Sequence, residues 1–230
     1  MLRAACLWAL LLVCCGAQAG GFAVVPLRVE LGKNRASSLT VTNTEEAKTF
    51  EVRAVSWTQK NRVDSYAQTD QLLLSPSTFR LEKGASQVVR IQLNRPLDAA
   101  EHAYRVFVDE VPVAQQVRPN VLKTLVSMAV PVFVAPASGP IAKGQVAMKA
   151  SLAKDAINIE LNNTGKANLK LREWVLSSAK AGDLLKVPSA AYVLSGNTLT
   201  GNYPLRIQAD GPLKLMLVTD RGSFSADVTR

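Results

Sequence analysis

The sequence predicts an all-β protein built of two immunoglobulin-like sandwiches. From residue 22 onward, short runs rich in β-branched and aliphatic residues alternate with turns of Gly, Pro, Asn, Asp and Ser. Outside the first 19 residues, no long window keeps the 3.6-residue period of a helix. The chain of 230 residues has the length of about two small domains, and its 48% hydrophobic content is typical of a globular protein.

The first 19 residues have the features of a secretory signal peptide. Arg3 supplies an early positive charge, residues 6–15 are apolar, and positions 17–19 form an Ala-x-Ala cleavage site. The apolar run is too short to cross a membrane. We therefore expect cleavage after Ala19 and export to the periplasm. All three cysteines lie in this segment, so the mature protein would contain none.

The first sandwich is predicted to occupy residues 20–136. The alternation of apolar and polar residues and the turns between them predict strands at 22–31, 38–43, 50–57, 72–74, 79–81, 87–93, 103–111 and 120–136. Seven or eight strands at this spacing are typical of an immunoglobulin-like sandwich.

A second, smaller sandwich is predicted over residues 141–230, after a short linker at 137–140 with the sequence Ala-Ser-Gly-Pro. Its strands are predicted at 146–152, 157–161, 169–176, 191–194, 204–207, 213–219 and 224–228.

The strand predicted at 120–136 is unusual, because strands are usually about 5–6 residues long. One of its faces is almost wholly apolar and carries Leu122, Thr124, Val126, Met128, Val130 and Val132. Pro131 has no N–H group, so its part of the strand should lie at a sheet edge or at a break in pairing. A long apolar edge promotes aggregation unless it is covered. The residues themselves leave two alternatives open: the strand completes its own sandwich, or it is lent to a partner.

Composition and motifs argue against an enzyme. His102 is the only histidine, and no nucleophile motif, phosphate-binding loop or cluster of metal ligands accompanies it. The net charge of +9 is spread along the chain, without the concentrated basic patch that nucleic-acid binding requires. We therefore expect no catalytic residue, metal ion, cofactor or nucleic-acid partner, and a binding function remains.

Several motifs resemble those of the PapD-like periplasmic pilus chaperones of the chaperone–usher pathway. The motifs are Val25-Pro-Leu-Arg28-Val-Glu-Leu31, Val41-Thr-Asn43, the segment from Ser75-Pro76 to Gln87-Val-Val-Arg90-Ile91, Glu101-His-Ala-Tyr104-Arg105 and Asp109-Glu110-Val-Pro112. The resemblance covers residues 22–136 and is weaker beyond residue 141. The ending at residues 130–136 looks most like the archaic branch of the family.

The resemblance implies two sandwiches set at an angle with a cleft between them, and a chaperone whose partners are incomplete pilus subunits and an outer-membrane usher. It implies neither membrane insertion nor a small-molecule substrate. The apolar strand would complete the subunit's sandwich by strand augmentation. The residues that would enter the subunit's groove are Leu122, Thr124, Val126, Met128 and Val130.

The resemblance also implies a site for the subunit's C-terminal carboxylate. Arg28 matches the family's anchoring arginine on the first strand. The family's second cation is a lysine on the donor strand, and that position is Pro131 here. Lys123 faces the right way but lies about 26 Å away along the strand. Arg28 would therefore act alone, or with a residue that the sequence does not identify.

A third implication is an ionic cluster that joins the two sandwiches. Arg90, Glu101 and Asp220 match its members. One arginine between two carboxylates can bind both through its fork of donors. The alternative is three separate solvated charges.

Two other functions remain open at this level. A surface or adhesive protein could be built of two such sandwiches. A carbohydrate-binding module would require exposed aromatic residues, whereas Trp57, Tyr66 and Trp174 are scattered along the sequence.

Overall fold

The computed structural model describes residues 21–60, 63–112, 124–139, 141, 144–205 and 211–229. These residues form eighteen β-strands and no helix, so the predicted all-β class is confirmed. The described residues include no helix with the length and apolar character needed to cross a membrane. The predicted signal peptide lies outside the described residues.

Ten strands form the first sandwich. They are β1 (Phe22–Val25), β2 (Val29–Leu31), β3 (Ala36–Asn43), β4 (Lys48–Lys60), β5 (Val63–Gln68), β6 (Leu72–Ser75), β7 (Thr78–Leu81), β8 (Ser86–Leu93), β9 (His102–Val111) and β10 (Ser127–Val134). One sheet has the order β1-β3-β8-β6. The other has the order β2-β10-β9-β4-β5, and β7 also pairs with β4.

Two-residue alternation builds this core. On β8, Val89, Ile91 and Leu93 are buried, whereas Arg90 between them is exposed. The same period places alternate residues of β9 inside the sandwich, among them Val106 and Val108. These side chains meet those of the facing sheet in one continuous apolar core.

The single first strand predicted at 22–31 is wrong in one respect, because the chain changes sheets within it. β1 pairs with β3 in one sheet, and β2 pairs with β10 in the other. Pro26, which has no N–H group, lies between them. The prediction also missed β5, whose residues are all exposed and show no apolar alternation.

Eight strands form the second sandwich. They are β11 (Val146–Ala153), β12 (Ala156–Asn163), β13 (Leu169–Ser178), β14 (Gly182–Pro188), β15 (Tyr192–Val193), β16 (Thr198–Pro204), β17 (Leu213–Thr219) and β18 (Gly222–Thr229). Their order is β14-β13-β17-β18-β11-β12-β16, with β15 also paired to β13. The β11–β18 pair is parallel and has only two registered residue pairs.

Sequence patterns were least informative at the edges of this second sandwich. β14 was not predicted, and the strand predicted at 204–207 is instead β16, which ends at Pro204. Residues 206 and 207 lie outside the described residues. Both edge strands consist of half-buried and exposed residues, so their sequences lack the regular apolar face on which the prediction depends.

Candidate binding site

β10 is paired on both sides for only part of its length. β10 pairs with β9 along its whole length, from Ser127 opposite Asp109 to Val134 opposite His102. On its other side it pairs with β2 only from Val132 onward. Among the described residues, no strand covers the stretch 127–131 on that side. We call this stretch the open edge.

Two flanking hydrogen bonds show which peptide groups point toward the open edge. Glu110 N donates to Val126 O at 3.1 Å, and Ala135 N donates to Leu31 O at 2.8 Å. Since successive peptide groups point to opposite sides of a strand, even-numbered residues of β10 bond to β9 and odd-numbered residues face outward. Ser127 and Ala129 therefore each present an N–H and a C=O at the open edge.

Pro131 occupies an outward-facing position of the open edge, where a missing N–H costs no bond to β9. It offers only its C=O, immediately before β2 begins to cover the strand at Val132. The prediction that Pro131 lies at a sheet edge is confirmed. The proline limits how far a partner strand can pair along β10.

The even-numbered side chains divide the strand into two parts. Val130 and Val132 lie in the protein's own core at 1% and 0% exposure, and Met128 is partly buried against that core. Val126 is 37% exposed, and Thr124 is also exposed. Leu122, the remaining predicted donor residue, lies outside the described residues.

The prediction for Val130 is therefore wrong. It was predicted to enter a partner's groove, but its side chain already fills the first sandwich. The strand is also shorter than predicted, because β10 covers Ser127–Val134 and the described residues 124–126 are not part of a strand. The apolar alternation continues through both parts, so the sequence did not reveal where the protein's own core ends.

The odd-numbered face of β10 meets the second sandwich. Phe133 packs with Trp57 of β4 and Tyr192 of β15, with ring centroids 5.5–5.9 Å apart. Leu194 and Ala103 complete this small apolar cluster. The cluster places the open edge next to the junction between the two sandwiches.

Arg28 lies immediately before β2, beside this aromatic cluster. Its guanidinium carbon is 4.8 Å from the centroid of the Phe133 ring and 5.7 Å from that of Tyr192. Its Nη1 donates to Asp220 Oδ2 and its Nη2 to Glu30 Oε1, both at 2.6 Å. Burial lowers the pKa of Arg28, but the bond to Asp220 and the charge of Glu30 outweigh it, and the pKa is raised. The arginine therefore remains charged at the junction.

A second polar contact joins the sandwiches at Glu101. Its Oε1 accepts hydrogen bonds from the backbone N of Asn168 at 2.6 Å and from the Asn168 Nδ2 at 2.9 Å. Arg221 Nη2 is 3.8 Å from Glu101 Oε2, and Arg221 Nε donates to Asn168 O. Burial raises the pKa of the Glu101 carboxyl, although the Asn168 bonds and the Arg221 charge act against it.

The structure brings Glu101 and Asp220 to this junction but not Arg90. Arg90 is exposed on the outer face of β8, because its neighbours Val89 and Ile91 take the inward positions. Arg28 binds Asp220, and Arg221 approaches Glu101. The predicted cluster is thus replaced by two contacts with two arginines. Arg221, the residue that the prediction missed, directly follows Asp220.

His102 has a local partner in the first sandwich. Its Nε2 is 2.7 Å from Asp98 Oδ2, which also accepts a 2.6 Å hydrogen bond from Arg95. In the part of the chain that the structure describes, no group of three or more His, Cys, Asp or Glu side chains could hold a metal ion.

Two sandwiches joined by arginine–carboxylate contacts, beside an open sheet edge, define a class of binding protein suited to strand augmentation. The family model described as "Pili and flagellar-assembly chaperone, PapD N-terminal domain" matches residues 21–140, more than half of the chain. The chain therefore belongs to the family of pili and flagellar-assembly chaperones, and the family predicted from the motifs is confirmed.

Solved structures of pilus chaperones share the fold. The CsuC–CsuE complex from the archaic chaperone–usher Csu pili of Acinetobacter baumannii matches with 18% identity and a TM-score of 0.64, covering 91% of this chain and 99% of that chain. The E. coli chaperone DraB has 21% identity and a TM-score of 0.58, with 91% and 97% covered. The Pseudomonas aeruginosa chaperone CupB2 has 16% identity and a TM-score of 0.56, with 89% and 98% covered. A search of curated protein sequences gave no match.

Proposed function

We propose that the protein is a periplasmic chaperone that binds incomplete pilus subunits through the open edge of β10 and delivers them to an outer-membrane usher. This proposal rests on one observation. Residues 127–131 pair with β9 on one side, and among the described residues no strand pairs with them on the other side. The similar CsuC–CsuE structure is a complex of a chaperone with a tip adhesion subunit.

Backbone groups at the open edge supply the general part of the affinity. The outward N–H and C=O groups of Ser127 and Ala129 can extend the sheet onto any strand of suitable length, because main-chain hydrogen bonds do not depend on side-chain identity. A subunit that lacks one strand of its sandwich exposes the complementary unpaired edge. Pairing satisfies both edges at once.

Side chains next to the open edge supply the apolar part of the affinity for the subunit. Val126 and Met128 follow the same alternation as Val130, but they are not fully enclosed by the protein's own core. We propose that both, together with Thr124 and Leu122, project into the subunit's groove. Burying an aliphatic side chain of this size contributes about 1.5–3 kcal/mol before the cost of ordering the segment. Val130 and the residues that follow it hold the strand on the chaperone.

Arg28 is proposed to bind the subunit's C-terminal carboxylate. A guanidinium group can form two parallel charge-assisted hydrogen bonds with a carboxylate. The contact between Arg28 and Asp220 couples that site to the position of the second sandwich. The contacts of Glu101 with Asn168 and Arg221 hold the same junction from its other side.

The domain organisation follows the same proposal. Residues 1–19 are a cleaved signal peptide, 20–136 form the chaperone domain with the donor strand, 137–140 form a linker, and 141–230 form the second domain. The protein acts by binding and not by catalysis.

The test uses the purified mature protein and a pilus subunit that lacks its final strand. We expect a stable one-to-one complex on size-exclusion chromatography, with slowed amide exchange at Ser127 and Ala129. The control is the same subunit with its missing strand fused in place, which should not bind. Equal binding of the completed subunit, or no complex with the incomplete one, contradicts the proposal and favours a surface or adhesive protein.

A further inference from the structure

The inward face of β9 carries a charged residue near its end. Val106 and Val108 fill the core of the first sandwich, and Glu110 takes the next position of the same parity. Glu110 is 7% exposed, and its partner across the sheet is Phe50 of β4, which lies fully inside the core. A carboxylate therefore occupies the core position that follows Val108.

Lys48 of β4 holds this carboxylate inside the sandwich. Its Nζ is 2.7 Å from Glu110 Oε1 and 2.7 Å from Glu45 Oε2. The Glu110 side chain is 4% exposed and that of Lys48 is 21% exposed, so salt and water screen this pair less than a surface pair. Removing only one partner would leave a buried charge uncompensated, which is costly. We call Lys48 and Glu110 the buried ion pair.

Val126 lies directly opposite Glu110. The register between β9 and β10 pairs Met128 with Val108, so its continuation by two residues pairs Val126 with Glu110. Glu110 N donates to Val126 O at 3.1 Å, as that register requires. One row across the sheet therefore runs from Val126 through Glu110 to Phe50.

The buried ion pair lies where the protein's own core ends. Val130 is 1% exposed and Met128 packs partly against the core, whereas Val126 is 37% exposed. Both Val126 and Val130 are valines of the same parity, so hydrophobicity alone does not explain this difference. If Val126 packed inward, it would cover the carboxylate of Glu110 and take the ion pair further from water. That desolvation opposes the burial of Val126.

We propose that the buried ion pair of Lys48 and Glu110 keeps Val126 out of the chaperone's own core, and thereby keeps it available to the groove of a bound subunit. This inference rests on the proposed chaperone function. Lys48 and Glu110 are positioning residues, since they act through Val126. Inward-pointing charges are one means by which natural sheets control their edges. The subunit's groove, being apolar, can bury Val126 without that desolvation cost.

The test replaces both charges by apolar side chains in a double variant, Lys48→Met with Glu110→Leu. Because no charge is left uncompensated, the midpoint of urea unfolding should stay the same or rise. Val126 should then pack against the enlarged core. The affinity for an incomplete pilus subunit should fall about tenfold, because a valine already buried in the chaperone must be withdrawn before it enters the groove.

A thiol introduced by Val126→Cys reports the position of this side chain in the free protein. Cysteine behaves as a small apolar residue, so it can take the place of the valine in either position. The three natural cysteines lie within residues 1–19, so this thiol is the only one in a protein that begins at residue 20. Its alkylation rate should fall severalfold when the double variant is combined with it.

Arg80→Met with Glu82→Leu is the control, because it removes an ion pair of the same sandwich whose side chains are 57% and 73% exposed. It should leave the unfolding midpoint, the alkylation rate and the affinity unchanged. An unchanged alkylation rate in the Lys48→Met, Glu110→Leu protein overturns the inference, and so does an unchanged affinity despite slower alkylation. A lower unfolding midpoint together with weaker binding also overturns it, since that result indicates a purely structural role. The alkylation measurement uses no subunit, so it tests the ion pair even if the unchanged protein binds no subunit and the proposed function fails.

Discussion

Arg28 and Asp220 are 192 residues apart in sequence and are joined by a 2.6 Å hydrogen bond between the two sandwiches. The other oxygen of Asp220 accepts a hydrogen bond from the backbone N of Lys170, so the carboxylate is held from both sides. The arginine proposed to bind a subunit is therefore already part of the junction. An incoming carboxylate would share or displace these contacts, which links subunit binding to the arrangement of the sandwiches.

A double-mutant cycle on this pair tests its contribution to stability. Arg28→Gln and Asp220→Asn, alone and combined, should give a coupling free energy of about 0.5–3 kcal/mol in urea unfolding, as expected for residues in direct contact. The control pair is Arg80 and Glu82, whose side chains are 57% and 73% exposed. That pair should couple by less than about 0.5 kcal/mol. Equal coupling in the two cycles would contradict the importance of the junction.

Val126→Arg should abolish recovery of the subunit while leaving the chaperone folded. The substitution drives a charge into the proposed apolar groove, where its desolvation is not compensated. Leu125→Arg is the matched control, because Leu125 is similarly exposed at 44% but belongs to the opposite parity. The measurement is the yield of subunit co-purified from the periplasm. A similar loss in both variants would show that the facing assignment is wrong.

Val130, in the core, and Val126, which is exposed just before β10, should respond differently to truncation. Val130→Ala removes fully buried methyl groups and should lower the free energy of unfolding by about 1–3 kcal/mol. Val126→Ala should change it by less than about 0.5 kcal/mol and should instead weaken subunit binding. Denaturant unfolding and a binding titration on the same two variants separate these effects. A large loss of stability in Val126→Ala would place Val126 in the chaperone's own core.

Glu101 should make stability depend on pH. Burial raises the pKa of this carboxyl in the folded protein above its unfolded value of about 4.3, so the folded state binds the proton more tightly. The contribution of Glu101 to the free energy of unfolding should therefore fall as the pH rises from about 4.3 through the raised pKa, and become constant above it. Glu101→Gln, which keeps an oxygen acceptor for Asn168, should lack this component. Parallel pH profiles for the two proteins would contradict the assignment.

Much of the fold follows from short-range patterns in the sequence. Apolar alternation on β8 and β9 predicts which residues enter the core, because it depends only on the two-residue period of a strand. The absence of an N–H group predicts that Pro131 lies at an edge without knowledge of its neighbours. Motifs within residues 22–136 were sufficient to indicate the family.

The partners of the charged residues were decided by the tertiary structure alone. Arg90 and Arg28 are both arginines next to apolar strand residues, and nothing local to either shows that only Arg28 meets Asp220. The same limit hid Arg221, whose approach to Glu101 depends on how the two sandwiches meet. Whether a strand side chain points into the core or toward solvent can be read from the alternation of apolar and polar residues next to it in the chain. Ion pairs and strand registers instead depend on how distant segments pack, and that packing balances burial against charge over the whole molecule.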